Sequence, residues 1–281
     1  MKALTLLSTV FLVALSAGAN ERHYPASNFK LIPESEAHRS FGVAARRALD
    51  PHSIKVLVWN IKKGQEPGLD RDLPAYGKDR DLLIISEGYL NPLGQGIFDT
   101  FSTLHWDMGI SFLYAKDHDF PTGTLIGSVV PPTWTKVKQT VDHEPFIDTP
   151  KCLTFAKYPI AGSLKKLLVI SMHGINAVLP EALERHVALA VAEIEKHDGP
   201  VIFAGDFNTN LETKVEETLK TISDLGMQSL EFRNDERKLV GGNIIDYIFT
   251  RGLHPKDSEV LGKLTSSDHK AMLAELEVDP D

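Results

Sequence analysis

The chain has 281 residues, 42% of them hydrophobic and 24% charged, with a formal charge of −8. That describes a globular protein large enough for a substantial core, and the acidic balance argues against a strongly basic protein that coats nucleic acid. The single cysteine, Cys152, excludes an intramolecular disulfide framework and a multi-cysteine zinc site; beside Leu153-Thr-Phe155 it reads as a buried, inert thiol.

In chain order, Met1-Lys2 precedes a short apolar run, and Ala17-Gly18-Ala19 closes it. A positive start, a short apolar core and an A-x-A site predict a secretory signal peptide over residues 1–19, cleaved after Ala19. Export would be to a periplasm or to the outside, with no stable membrane anchor after cleavage, because the apolar core is too short to span a bilayer. Loss of Lys2 with that segment takes the formal charge from −8 to −9. A nuclease stays open at that charge, since a bound divalent cation is itself a large local positive charge.

Residues 20–52 read as an N-terminal arm with a short helix over 36–49, and residues 53–281 as one domain. The domain opens on Ile54-Lys-Val-Leu-Val-Trp-Asn60, a β-rich run ending in Asn, and Asp81-Leu-Leu-Ile-Ile-Ser-Glu87 repeats the pattern with a terminal Glu. Short strands follow over 109–115 and 123–130, and another over 164–172 ends at His173. Residues 180–197 predict a helix: Pro180 suits its first turn, and Leu183, Val187, Ala190, Val191 and Ile194 form one apolar stripe. Further on come a strand from Val201, a helix over 214–225, a strand over 244–249 interrupted by Asp246, and a half-buried strand over 272–278.

The stretch Val201-Ile-Phe-Ala-Gly-Asp-Phe-Asn-Thr209 carries the clearest chemistry. If it stays extended, Asp206 and Asn208 project to the same side at the lip of a buried strand, a carboxylate beside an amide. The plain alternative is turn chemistry, which Gly, Asp and Asn all favour. The pattern recurs, with strand-like runs ending on Asn60, Glu87, His173 and Asp206, Asp246 inside one, and Asp268-His269 introducing another. A carboxylate on a core strand needs a partner, and His269 is an apt one for Asp246.

The blocks Trp59-Asn60, Ser86-Glu87, His173-Gly-Ile-Asn176, Gly205-Asp-Phe-Asn-Thr209, Ile245-Asp-Tyr-Ile-Phe249 and Ser267-Asp-His269 resemble, in order, the motifs of the endonuclease/exonuclease/phosphatase superfamily. The resemblance implies a deoxyribonuclease I-like α/β fold, a four-layer α/β/β/α sandwich with two packed mixed β-sheets and the site at one end of them. It further implies that Glu87 is the principal ligand of Mg2+ (or Mn2+), with Asn60 beside it and Asp268 completing the metal environment. By the same carry-over, Asp206 orients or deprotonates the attacking water and Asn208 holds it. Asp246 positions His269, His269 binds the scissile phosphate, and His173 contacts phosphate and protonates the leaving oxygen. Asn176 is a further candidate from the same loop.

Physical chemistry points the same way. A phosphodiester is an anion that repels hydroxide, so its hydrolysis needs positive charge and oriented donors on the nonbridging oxygens. Two features depart from the family: Ser86 stands where Gln commonly precedes the metal Glu, and the Arg or Tyr phosphate contacts of DNA-cutting members have no clear counterpart. No Gly-Asn-His-Asp/Glu block, Gly-x-Ser-x-Gly elbow or phosphate-binding Gly-x-x-x-x-Gly-Lys-Ser/Thr loop is present to support a binuclear metallophosphatase, a serine hydrolase or a nucleotide kinase. The expected function is an exported metal-dependent phosphodiesterase acting as a monomer. Nucleic acid is the favoured substrate, with Lys62, Lys63, Lys78 and Arg80 as phosphate contacts. The alternatives are a sphingomyelinase-like phospholipid phosphodiesterase, with 131–134 and 98–106 as its membrane-facing stretches, a phosphomonoesterase, and an inactive binding module on the same fold.

Overall fold

The computed structural model describes residues 28–280, so the segment expected to be a signal peptide lies outside the described residues. Two mixed sheets pack face to face between two helical layers. The first, eight-stranded, runs in the order β1 (Phe29–Lys30), β5 (His105–Tyr114), β6 (Phe120–Ser128), β4 (Leu82–Tyr89), β3 (Ile54–Asn60), β16 (Met272–Val278) and β15 (Leu253–Val260), with β2 (His38–Gly42) also on β5. The second, six-stranded, runs β11 (Gln228–Ser229), β14 (Asp246–Arg251), β10 (Val201–Asp206), β9 (Lys166–His173), β8 (Cys152–Pro159) and β7 (Trp134–Gln139). A separate hairpin pairs β12 (Leu239–Val240) with β13 (Asn243–Ile244). Helices α1 (Leu69–Gly77) and α2 (Pro92–Asp99) cover the outer face of the first sheet, and α3 (Pro180–Ile194) and α4 (Glu212–Asp224) that of the second.

Strand β10 shows how the sequence dictates the layers. Ile202 and Ala204 point into the core between the sheets, while Val201 and Phe203 point to the α3 side, so both faces are apolar and the run is continuous. Its parity continues to Asp206, whose side chain faces the first sheet. Each sheet holds one parallel pair, β3 with β4 and β9 with β10, and these pairs pack across the sandwich. All four strands therefore finish at the same end: β3, β9 and β10 on Asn60, His173 and Asp206, and β4 two residues past Glu87, on Tyr89.

The arm differs from expectation. The short helix predicted over 36–49 is absent; β2 pairs with β5 from His38↔Gly109 to Gly42↔His105, so these residues are an edge of the first sheet. That strand is polar and largely exposed, and backbone pairing holds it there, which leaves no apolar alternation to read. Phe98 and Trp106 are core residues, so 98–106 presents no aromatic surface, whereas Trp134 is half-buried at the start of β7 with Lys157 over its ring. Cys152 is buried among Ser111, Thr124 and the Gly109 carbonyl, and burial raises its thiol pKa.

The inner face of α3 carries one polar residue, His186, whose Nδ1 accepts the Ile175 N–H at 3.3 Å. Burial, with Lys151 nearby, pushes it from 6.5 down to about 3. The folded state thus refuses a proton that the unfolded chain accepts below its ordinary value, so stability falls as pH drops from about 6.5 towards about 3. In His186→Gln, which cannot titrate, the acid limb of a thermal-melting profile is expected to be shallower than in the wild type. An unchanged limb would show that His186 does not set it.

Candidate active site

The second sheet aligns three of the predicted residues in one row. Asp206 pairs in register with His173 on the parallel β9 and with Asp246 on the antiparallel β14. From the first sheet, Asn60 and Glu87 face this row. The Asn60 amide Nδ2 donates to Asp206 Oδ2 at 2.9 Å and to Glu87 Oε1 at 3.2 Å, and so ties the two sheets together at the site. Its Oδ1 accepts the Lys62 N–H at 3.0 Å.

His269 arrives on a loop that the same strand ends hold down. Ser267 Oγ donates to the Asn60 carbonyl at 2.6 Å, and Trp59 Nε1 donates to the His269 carbonyl at 3.1 Å. The Nδ1 of His269 lies 2.8 and 3.0 Å from the two Asp246 oxygens, and its Nε2 lies 3.6 Å from Asp206 Oδ2. Ser86, in the position where the family commonly has Gln, donates to the Met172 carbonyl at 2.8 Å and braces β4 against β9.

Asp206 and Asn208 do not lie on one extended strand. The strand ends at Asp206, and Asn208 adopts φ +51°, a left-handed conformation that Asn tolerates. Its N–H donates to Asp206 Oδ1 at 2.9 Å and its Nδ2 to the Gly174 carbonyl at 2.7 Å. The turn itself therefore fixes the carboxylate. Gly205 has φ +136°, and a Cβ there would stand 2.0 Å from the Met172 carbonyl oxygen, so only glycine lets β10 approach β9 here.

Burial and neighbours set the charges. Burial raises the pKa of Asp206 to about 6 against the opposing pull of His269. Burial would lower that of His269, but Asp246 and Asp206 raise it to about 9, so its imidazolium form is favoured at neutral pH. Burial would raise Glu87, yet the ammonium groups of Lys63 and then Lys151 hold it well below the usual carboxylate range. His173 is pushed well below 6.5 by burial and then Lys151; its Nε2 stands 3.8 Å from both Glu87 Oε1 and Asp206 Oδ2. The result is an ionised carboxylate, a second carboxylate of raised pKa, an imidazolium and a neutral imidazole within one enclosure.

Asp268 carries two lysines: its carboxylate accepts from Lys238 Nζ at 2.7 Å, with Lys62 Nζ 3.8 Å away. Asn176 lies at the rim, its N–H on Glu144 Oε1 and its Oδ1 accepting from Asn210 Nδ2 at 3.2 Å. Among the cations, Lys62 and Lys63 are at the site. Lys78 and Arg80 instead flank a polar cavity with Arg46 and Lys55 at the opposite end of β3 and β4, roughly 16 Å of strand away. Lys151 went unread in the sequence; it is buried against Glu144 at 3.1 Å, on a segment that carried no motif.

The donor set suits a hard divalent cation. It offers carboxylate oxygens and no thiol, with Glu87 kept ionised; the atoms of Asp206, Asp246 and His269 lie within 4.8 Å of one another, but His269 there is bonded to Asp246 as a cation. The model of the endonuclease/exonuclease/phosphatase family matches residues 57–269, which includes every residue of this site. The chain belongs to that family. Its members are phosphoric ester hydrolases. Solved structures share the fold at low identity. A family protein from Beutenbergia cavernae DSM 12333 is 14% identical over 81% of this chain and 72% of its own, with a TM-score of 0.63. One from Leptotrichia buccalis C-1013-b is 17% identical over 81% and 100%, at 0.61. Sphingomyelinase C from Streptomyces griseocarneus is 14% identical over 79% and 99%, at 0.55.

Two substitutions test the geometry. Asp246→Asn removes the charge that holds His269 protonated and is expected to lower kcat about 100-fold or more with little change in KM. A loss confined to KM would contradict the assignment. Gly205→Ala is expected to lower the melting temperature and activity together, because β10 must move away from β9 and carry Asp206 with it. A fully active, equally stable variant would show that the close approach is dispensable.

Proposed function

We propose that this protein is a Mg2+- or Mn2+-dependent phosphodiesterase that cleaves by direct attack of water, with nucleic acid as its substrate. The observation that carries the reaction class is the buried chain Asp246–His269–Asp206, with Asn208 and Asn60 fixing the two oxygens of Asp206. Asp206 accepts the proton of the attacking water; a carboxylate whose pKa is about 6 is a better base than an ordinary one and still ionised at neutral pH. His269, held by Asp246 through Nδ1, keeps Nε2–H free to donate to a nonbridging oxygen as charge builds there. His173, neutral and facing Glu87 and Asp206, is placed to bond the leaving oxygen. Glu87, positioned by the Asn60 amide, would hold the divalent cation, which would supply Lewis-acid polarisation of the phosphate.

Nucleic acid is favoured because Lys62, Lys63, Lys151 and Lys238 lie around the site; each is paired with a carboxylate (in turn Glu66 and Asp268, Glu87, Glu144, and Asp268 again), and a phosphate backbone would bind by exchanging with those partners. A second reading rests on a different feature of the same end. Val141 and Phe146 in the loop before β8, Leu179 beyond Asn176, Leu211 beyond Asn208 and Leu239 beside Lys238 are all exposed apolar side chains. An apolar rim with lysines inside it also fits a phospholipid surface. Export belongs to the same proposal and rests on the sequence of residues 1–19.

Purified protein with Mg2+ is expected to hydrolyse DNA or RNA, and EDTA to abolish turnover. No turnover on nucleic acid, phospholipid or chromogenic diesters would leave an inactive binding module on this fold. For the lipid reading, Val141→Ser with Phe146→Ser should depress hydrolysis of vesicle phospholipid and spare a soluble short-chain diester. Equal loss on both would remove the rim from substrate contact.

A further inference from the structure

Glu87, the principal metal ligand in the reading above, already has a cation. Its Oε2 carries the ammonium of Lys63, while Oε1 accepts from Asn60 at 3.2 Å and lies 3.8 Å from His173 Nε2. The backbone is bent to make this pair. Lys62 at φ +47°, Lys63 at +57° and Gly64 at +69° form three successive left-handed residues, and Glu87 itself sits at +54° where β4 slips its register against β6. Side chains other than Gly occupy that region at a cost, and here three of them do so around one ion pair. Both partners are mostly enclosed, at 20% and 18% exposure.

The groups around Glu87 differ in how freely they can leave. Asn60 is locked, its Nδ2 shared between Glu87 and Asp206 and its Oδ1 taking the Lys62 N–H. His173 is buried at the end of β9. Lys63 has a flexible four-carbon stem, which borders a small apolar recess lined by Ile61, Leu69, Tyr89 and Ile97. Its head can swing while its stem stays covered.

We propose that Lys63 is the resident counter-ion of Glu87: it holds the site assembled without metal, and a divalent cation has to displace it in order to load. The inference rests on the reading of Glu87 as a metal ligand. The charges give it a reason. Glu87, Asp206 and Asp246 converge on one enclosure, and without metal their repulsion is offset by His269 on one side and Lys63 on the other. The same ammonium competes with the metal for Glu87 Oε2, so the metal-free state is firmer and the metal affinity lower than the ligand set alone would give.

The test uses Mn2+ alone and needs no substrate. Isothermal titration of Mn2+ into EDTA-stripped protein should show Lys63→Met binding on the order of tenfold more tightly than wild type. Metal-free Lys63→Met should also melt at a lower temperature, and Glu87→Gln should bind no Mn2+ at the site. In the wild type, which needs no variant to fold, amine labelling of Lys63 followed by mass spectrometry should rise several-fold on Mn2+ loading. An unchanged or weaker Mn2+ affinity in Lys63→Met overturns the proposal, as does Lys63 labelling that stays constant or falls. Wild type that takes up no Mn2+ would remove the metal reading of Glu87 as well; wild type that binds while Lys63→Met is indistinguishable removes only the counter-ion.

Discussion

Asp206 is enclosed between Asn60, Asn208 and His269, and an ionised carboxylate persists there only because each oxygen is bonded and a cation stands 3.6 Å away. Buried charge without partners costs several kcal/mol per ion, so this one residue dictates its surroundings. It requires an amide from the opposite sheet, a turn that aims a backbone N–H at it, and an imidazolium held protonated by a second carboxylate. The two parallel pairs at the centre of the sandwich satisfy these demands by ending their strands at one place. The same enclosure that makes the charges costly raises the pKa of Asp206, and the Asp246 and Asp206 carboxylates it confines raise that of His269 against the effect of burial.

Much of this was legible in the sequence, for a physical reason. A strand covered on both faces is a continuous apolar run, and a polar residue at its end stands out, as in Ile54–Asn60, which the structure places at those bounds. Asp246 was legible for the opposite reason: a carboxylate within an apolar run needs a partner, and His269 is that partner at 2.8 Å. Elements held by other forces were hidden. Helix α1 contains Pro74 and α2 contains Gly94 and Gly96, so composition speaks against helices that sheet burial stabilises. The polar edge strand β2 left no apolar period at all.

The site was less legible than the strands that carry it. The run Gly205-Asp-Phe-Asn208 posed a choice between a turn and an active-site strand, and the structure makes it both: Asn208 closes a turn whose N–H binds the carboxylate it follows. Asp268 sits beside His269 in sequence, and in the fold its carboxylate meets Lys238 and Lys62, which no sequence pattern announced. The Lys63–Glu87 pair depends on left-handed backbone at both residues, which no pattern of hydrophobicity records. Residue type announces what a side chain can do, whereas these three cases were decided by where the backbone points it.

On the proposed reading, the strand ends would form a metal-assisted hydrolytic centre around Glu87 and Asp206. The most direct measurement is an anomalous difference map from crystals of this protein soaked in Mn2+. A single strong peak is expected on the Glu87 carboxylate beside Asn60, with His269 still on Asp246 and facing Asp206. Crystals without a peak there, with Lys63 still seated on Glu87 at saturating Mn2+, would contradict it.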